Sequence, residues 1–327
     1  MSNFPSLVMM GGGSWGAALA DKLRQTPEQD CHVLTRTPET AAALQKGHIR
    51  QLDQIQLPAP LMATSDPAFL SEADIIYLAL PISAHEDALT LISQKTDPSV
   101  PIVLCAKGLV PDGDSGGSFL PEYMRQNYPA RPFAILTGPS FADEVILNKP
   151  TALLAASADD CLSRQIAAQF ATSSLRVYQG SDVIGAALGG AIKNIIAIAA
   201  GIAAGQSLGD NARAALVTRG LAETARFGAH LGAEPSTIMG LAGIGDLILS
   251  CSNQHSRNMA YGFALGSGAA IPQQLAEGRH SAARLVKRAK EGDIAMPICE
   301  AVHAIVNMGA DIHETIAGLL AREAGIE

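Results

Sequence analysis

The spacing of apolar positions divides this chain into two halves of different character. Apolar runs of strand length occur at Leu7–Met10, His32–Thr35, Ile75–Leu80, Ile102–Cys105, Phe133–Leu136, Thr151–Ala155 and Leu175–Tyr178. Helical patterns separate the early runs, over Ala17–Arg24 and Pro38–Lys46. Strands alternating with helices predict right-handed βαβ units and a mainly parallel sheet. From Ser181 the period is helical, over Ala212–Leu231, Arg257–Gly266, Ala282–Lys290, Ile298–Met308 and Ile312–Ala324. Proline, which interrupts helices and marks turns, follows the same division. Fifteen of the eighteen prolines lie at or before Pro150, and only Pro235, Pro272 and Pro297 follow. The pattern predicts an α/β domain over residues 1–180 and an all-α domain over 181–327, with the boundary near Gly180–Asp182.

The first apolar run leads into Gly11-Gly12-Gly13-Ser14-Trp15-Gly16 and then a helical pattern. This is G-x-G-x-x-G between a strand and a helix, the setting in which its glycines permit a tight turn and close approach of a pyrophosphate. The helix N-terminus adds attraction for the anion. The first domain is therefore expected to be of the Rossmann type and to bind a dinucleotide. The alternative is a glycine-rich turn that merely packs. The second strand ends Val33-Leu34-Thr35-Arg36, without the carboxylate that would take an NAD ribose 2′-hydroxyl. Arg36 can meet a 2′-phosphate with charge-assisted bonds, so NADP(H) is favoured and NAD(H) is the second candidate.

A lone cation sits in the most apolar stretch, Ala186 to Gly205, in the segment Gly189-Gly190-Ala191-Ile192-Lys193-Asn194-Ile195. That stretch has about the length of a membrane span. Lys193 and Asn194 near its centre, with many Ala and Gly, favour a helix buried in protein. Lysine is rarely buried unpaired, and desolvation makes its pKa adjustable, which suits acid–base work. The plainer alternative is a core-helix lysine whose stem lets the charge reach water.

Two further segments point to chemistry. Ala242-Gly243-Ile244-Gly245-Asp246 places a carboxylate after a glycine-rich bend, where Asp246 could cap a helix or pair with Lys193. Ser256-Arg257-Asn258 then enters a helical run. Arginine in a first turn opposes the helix dipole. A bound phosphate would reverse that cost, because Ser256, Arg257, Asn258 and free N–H groups could all donate to it. Ala106-Lys107-Gly108 and Gly138-Pro139-Ser140-Phe141-Ala142 follow predicted strands, the side of an open α/β sheet on which ligands lie.

Composition narrows the classes. Hydrophobic residues make up 48% and charged residues 17%, so a large core is expected and disorder is not. The net charge of −8, with no basic run, argues against nucleic acid and anionic membranes as partners. Five dispersed cysteines without CxxC suit reduced thiols in the cytoplasm. Leu7–Met10 is too short for a signal-peptide core. The histidines and cysteines lack zinc spacing, so no metal site is expected.

Taken together, these segments resemble the bacterial NAD(P)-dependent glycerol-3-phosphate dehydrogenases. The likeness is carried by Gly11–Gly16, Ala106–Leu109, Thr137–Ala142, Leu188–Asn194, Asn211–Glu223, Gly243–Leu247, Ser256–Asn258 and Ala276–Gly278, in the family's order. It implies interconversion of sn-glycerol 3-phosphate and dihydroxyacetone phosphate, with Lys193 as the acid–base residue and Asp246 beside it. It further implies that Lys107, Gly138, Ser140, Lys193, Asp246, Ser256, Arg257 and Asn258 surround the substrate. Gly11, Gly13, Ser14, Trp15, Gly16, Arg36, Lys107, Ala142, Arg257, Leu275 and Glu277 would lie along the cofactor. Leu275-Ala276 stands where the family commonly has two valines, and Arg279-His280-Ser281 replaces a small-threonine stretch. These departures bear on the cofactor contacts near Glu277. A related two-domain hydroxyacid dehydrogenase would not need Ser256-Arg257-Asn258, and an NADPH-sensing protein would not need Lys193. A homodimer through the Ala- and Gly-rich helical half is open.

Overall fold

The computed structural model describes residues 5–52, 54–111, 117–172, 174–273 and 276–321. Its strands are β1 (Ser6–Met10), β2 (Asp30–Leu34), β3 (Met62–Thr64), β4 (Ile75–Leu78), β5 (Ile102–Leu104), β6 (Leu109–Val110), β7 (Ser118–Phe119), β8 (Phe133–Thr137), β9 (Thr151–Ala156) and β10 (Leu175–Gly180). The helices of the first half are α1 (Ser14–Leu23), α2 (Pro38–Leu44), α3 (His85–Lys95), α4 (Leu120–Asn127), α5 (Ala142–Ile146) and α6 (Asp160–Gln169). Those of the second half are α7 (Val183–Gly205), α8 (Gly209–His230), α9 (Pro235–Ile238), α10 (Asp246–Ser252), α11 (Arg257–Ser267), α12 (Glu277–Glu291), α13 (Pro297–Met308) and α14 (Ile312–Leu320).

Eight strands form one sheet in the order β10-β9-β8-β5-β4-β1-β2-β3, and β6 pairs with β7 in a small antiparallel hairpin. The strands read as continuous apolar runs because both faces are covered. On β1, Leu7 and Met9 enter one core with α1, α5 and α6, while Val8 and Met10 enter the other with α3 and α4. Strand order reverses between β1 and β4, which opens a crevice at their carboxyl ends.

The expected sheet is mainly parallel, and the structure adds one reversal. β9 runs antiparallel to β8, and β10 follows β9 in parallel. The five-residue α5 rises only about 7–8 Å, too little to return the chain along a five-residue strand of about 16 Å. The three-residue β3 and the two-residue β6 and β7 are too short to leave a periodic signature. The expected helix over Ile312–Ala324 ends at Leu320, and residues 322–327 lie outside the described ones.

The helical half is organised by α7. Asp182 caps it by accepting from Gly185 N–H at 2.8 Å. Val183, Ala186 and Ala187 join the sheet core, and Leu188 to Ile202 form the centre of the helical core. A helix apolar on all sides needs neighbours on all sides. α11 is the tightest of these. A Cβ on Gly201 would lie 2.2 Å from the Met259 carbonyl oxygen, and one on Gly262 would lie 2.1 Å from that of Ile198. The two backbones are thus in contact. A second tie joins α8 to α13, where the buried Glu223 carboxylate accepts from the Ile298 and Cys299 N–H groups at 2.7 and 3.3 Å. These amides belong to the first turn of α13, where a negative charge is favourable.

Gly201→Ala or Gly262→Ala is expected to force α7 and α11 apart and cost about 1–3 kcal/mol, read as a lower urea midpoint. Gly318→Ala on α14, where a Cβ meets nothing within 4 Å, is expected to be neutral or stabilising by up to about 1 kcal/mol. Equal responses at the two sites would contradict the close packing.

Candidate active site

The turn after β1 distributes its glycines by geometry. Gly11 has φ +124°, and a Cβ there would lie 2.5 Å from the Ala79 carbonyl oxygen at the end of β4. A Cβ on Gly16 would lie 2.0 Å from the Gly11 oxygen, so this glycine lets α1 press on the turn. A Cβ on Gly13 would meet nothing within 4 Å. Gly13 is also the N-cap of α1, without a side-chain cap and without an acidic residue in the first turn. The first-turn amides of Ser14, Trp15 and Gly16 lack an intrahelical acceptor, and the space beside Gly13 at this positive helix end is open, a cradle suited to a pyrophosphate. The Trp15 side chain packs on the sheet core, which leaves its backbone N–H for a ligand. Arg36 is exposed just beyond β2.

Lys107 follows β5, three strands away from Arg36 in the sheet, or about 14 Å at ordinary strand spacing. Its ammonium reaches across the domain seam. Lys107 Nζ donates to Asp246 Oδ2 at 2.5 Å and to the Gly138 carbonyl at 3.3 Å. Lys193 Nζ donates to the other oxygen, Asp246 Oδ1, at 2.6 Å, and to Ser250 Oγ at 2.8 Å. Asp246 is fully buried, and the Lys193 and Lys107 side chains are 11% and 17% exposed. One carboxylate thus holds two ammonium groups and leaves a net positive charge at the mouth of the cleft.

That arrangement tunes Lys193. Desolvation lowers its pKa to about 8. Asp246 opposes the shift by favouring the cation, and Lys107 reinforces it by like-charge repulsion. An ammonium poised there can release and regain a proton near neutral pH. Of the two roles open to Asp246 in the sequence, the ion pair is the one observed. It begins α10 after a π-helical turn, Leu241–Gly245, and makes no cap bond. A Cβ on Gly189 of α7 would lie 2.3 Å from the Ala242 oxygen of that turn, so α7 and the turn pack closely enough for Lys193 to meet Asp246.

Around this pair lie the remaining predicted residues. Gly138, at φ +140°, packs under Ala152 and Leu153, and its oxygen also accepts from Ser140 Oγ at 3.2 Å. Ser256 is the N-cap of α11 and accepts from Met259 N–H at 3.4 Å. Arg257 is exposed in the first turn of that helix. The Asn258 side chain donates to Asn194 Oδ1 at 2.9 Å and accepts from Gly278 N–H at 3.0 Å, which ties α7, α11 and α12 together. Glu277 opens α12; burial raises its carboxyl pKa, and the Arg257, Lys193 and Lys107 charges oppose the rise. Ala142 opens α5. Leu275 lies outside the described residues.

Sequence reasoning missed Ser250, although its i+4 spacing from Asp246 places both on one face of α10. It also missed Asn194, whose amide orients Asn258. The Lys107–Asp246 pair spans 139 positions and had no local signal.

A sheet with a glycine-rich nucleotide turn and a lysine–aspartate–lysine cluster at its junction with a helical domain are the marks of a two-domain nicotinamide-dependent dehydrogenase. The profile of the NAD-dependent glycerol-3-phosphate dehydrogenase N-terminus matches residues 6–163, and that of its C-terminus matches residues 182–317. The chain belongs to this family. It is 40% identical over 319 residues to a glycerol-3-phosphate dehydrogenase [NAD(P)+] of Mesorhizobium japonicum, covering 97% of this chain and 92% of that one. A counterpart of the same name from Rhodospirillum rubrum is 39% identical, with 98% and 93% covered. The crystal structure of the Coxiella burnetii glycerol-3-phosphate dehydrogenase superposes with a TM-score of 0.90 at 33% identity, covering 98% of this chain and 99% of that one.

Lys193 is expected to titrate near 8 in the free protein, measurable by NMR of isotopically methylated lysines. Lys107→Met removes the like charge and is expected to move that pKa up; Asp246→Asn removes the counter-charge and is expected to move it down. Movement of both in one direction would refute the electrostatic assignment.

Proposed function

We propose that this chain catalyses the NAD(P)(H)-dependent interconversion of dihydroxyacetone phosphate and sn-glycerol 3-phosphate, with Lys193 as the acid–base residue. The observation that carries this reading is the Lys193–Asp246–Lys107 cluster beside the arginine-bearing N-terminus of α11. When bound, a nicotinamide cofactor would supply or accept the hydride. Gly11, Gly13, Ser14, Trp15 and Gly16 would hold its pyrophosphate, and Arg36 would meet the adenosine end. Lys107, Ala142, Arg257 and Glu277 would line the remainder.

In the reducing direction Lys193 Nζ donates its proton to the oxygen of the carbonyl as that oxygen becomes an alkoxide. Its charge stabilises the developing anion before the proton moves. Asp246 fixes the ammonium by one oxygen and Lys107 by the other, so neither cation must search for its position when substrate arrives. Ser140 and the Gly138 turn border the same carbonyl. Ser256, Arg257 and the N–H groups at the start of α11 hold the phosphate, with Asn258 steadied by Asn194 and supplying its backbone amide. That binding energy aligns the reacting carbon. In the oxidising direction neutral Lys193 takes the hydroxyl proton. The phosphate clamp separates this reading from that of a hydroxyacid dehydrogenase, whose substrate has no phosphate to hold.

We place the protein in the cytoplasm, where its product would supply the glycerol backbone of phospholipids. The five free cysteines are consistent with that compartment. The division at residues 180 and 181 is supported by the end of β10 at Gly180 and the start of α7 at Val183.

Adding dihydroxyacetone phosphate to protein with NADPH or NADH is expected to discharge reduced-nicotinamide absorbance; no loss with either cofactor would overturn the reading. Lys193→Ala is expected to lower kcat by about 10²–10⁴. The rate of reduction by the parent is expected to fall as pH rises through about 8, because Lys193 loses the proton it must donate. Arg36→Ala is expected to raise KM for NADPH roughly tenfold and leave that for NADH unchanged. Equal effects on both cofactors would remove the 2′-phosphate role from Arg36.

A further inference from the structure

The turn that precedes α11 makes one more contact across the cleft. His255 lies flat on Phe141, with ring centroids 4.1 Å apart and planes inclined by 8°. Its Nε2 also lies 3.2 Å from Asp143 Oδ1. Both partners belong to the first domain. Phe141 is the N-cap of α5, and Asp143 lies in that helix's first turn. The His255 backbone is held in turn, since its N–H donates to Asn253 Oδ1 at 2.9 Å and the Ser256 N–H donates to the Asn253 carbonyl at 3.3 Å. The ring is thus presented by a structured turn.

The neighbours in sequence give the contact its meaning. His255 immediately precedes Ser256-Arg257-Asn258, and Phe141 immediately follows Ser140. These are the two loops to which the functional reading assigns the phosphate and the reacting end of the substrate. One loop belongs to each domain, and their separation must match the length of the substrate.

We infer that His255 is a positioning residue: by stacking on Phe141 and pairing with Asp143 it sets the spacing between the phosphate-binding turn and the Gly138–Ala142 loop, and so sets substrate affinity. The inference rests on the assignment of the substrate phosphate to Ser256, Arg257 and Asn258. The ring pair gains from stacking and the part-exposed polar contact with Asp143 adds less, so the clasp is weak enough to reopen for product release. It orders both loops before substrate arrives. Without it, bound substrate must do that ordering, which weakens binding. Once substrate bridges the two loops, the proton-transfer cluster of Lys193, Asp246 and Lys107 is unchanged, so turnover should persist.

Steady-state kinetics of a double-mutant cycle test this. His255→Ala is expected to raise KM for dihydroxyacetone phosphate roughly tenfold, with kcat within about twofold of the parent and KM for NADPH unchanged. Phe141→Ala should do the same, and the double variant should be no worse than either single one, because both remove one contact. His255→Phe keeps the ring without the contact to Asp143 and should recover most of the affinity, which also separates the effect from a folding defect. Additive effects on KM, a loss confined to kcat, or a His255→Ala enzyme indistinguishable from the parent would overturn the inference and leave the functional reading intact. A parent protein that does not turn over dihydroxyacetone phosphate would overturn both.

Discussion

The structure depends on the burial of α7. A 23-residue helix that is apolar on every side is stable only when enclosed, and here two domains share the task. Its first turns complete the sheet core and its middle is the axis of the helical core. Because α11 approaches until backbones touch at Gly201 and Gly262, there is little freedom in where the N-terminus of α11 sits relative to Lys193. Close packing of glycines therefore does more than hold the domain together. It fixes the distance between Lys193 and the N-terminus of α11.

Within that frame the buried Asp246 solves an electrostatic problem and creates a useful imbalance. A lone buried carboxylate would be protonated, and a lone buried lysine would be neutral. Pairing them restores both charges, and the second lysine, from the other domain, leaves the cluster positive. Breaking such a buried group by removing one partner is costly because the other is stranded. Desolvation, reinforced by the charge of Lys107, keeps Lys193 close to the pH at which it can exchange a proton, and the excess positive charge suits an anionic ligand. Stability and acid–base poise thus share one set of atoms.

Legibility in the sequence followed locality. The Gly11–Gly16 turn was readable because every residue that shapes it lies within a few positions of a strand and a helix start. Lys193 stood out because its neighbours are apolar, and the first-turn Arg257 because it defies the helix dipole. The α/β and helical halves followed from two periods. What escaped was set by contacts between distant segments or by very short elements. The Lys107–Asp246 pair joins the loop after β5 to the first residue of α10, 139 positions away, which only the fold brings together. The reversal at β9 depends on the brevity of α5, and β3 depends on pairing with β2 over three residues. Ser250 was within reach, since it shares a helix face with Asp246.

The division of labour between the halves has a physical reason. A parallel sheet presents its strand ends as a row, which suits an extended dinucleotide running from Arg36 past Gly13 to Lys107. It does not readily supply a desolvated lysine, because those ends open to solvent. A helix buried on all sides can, provided a carboxylate accompanies it. On the proposed function, a hydride donor on the sheet and a proton donor on α7 would each lie in the environment its chemistry requires. The reacting carbon would then sit at the seam, which the charged bridge from Lys107 through Asp246 to Lys193 crosses.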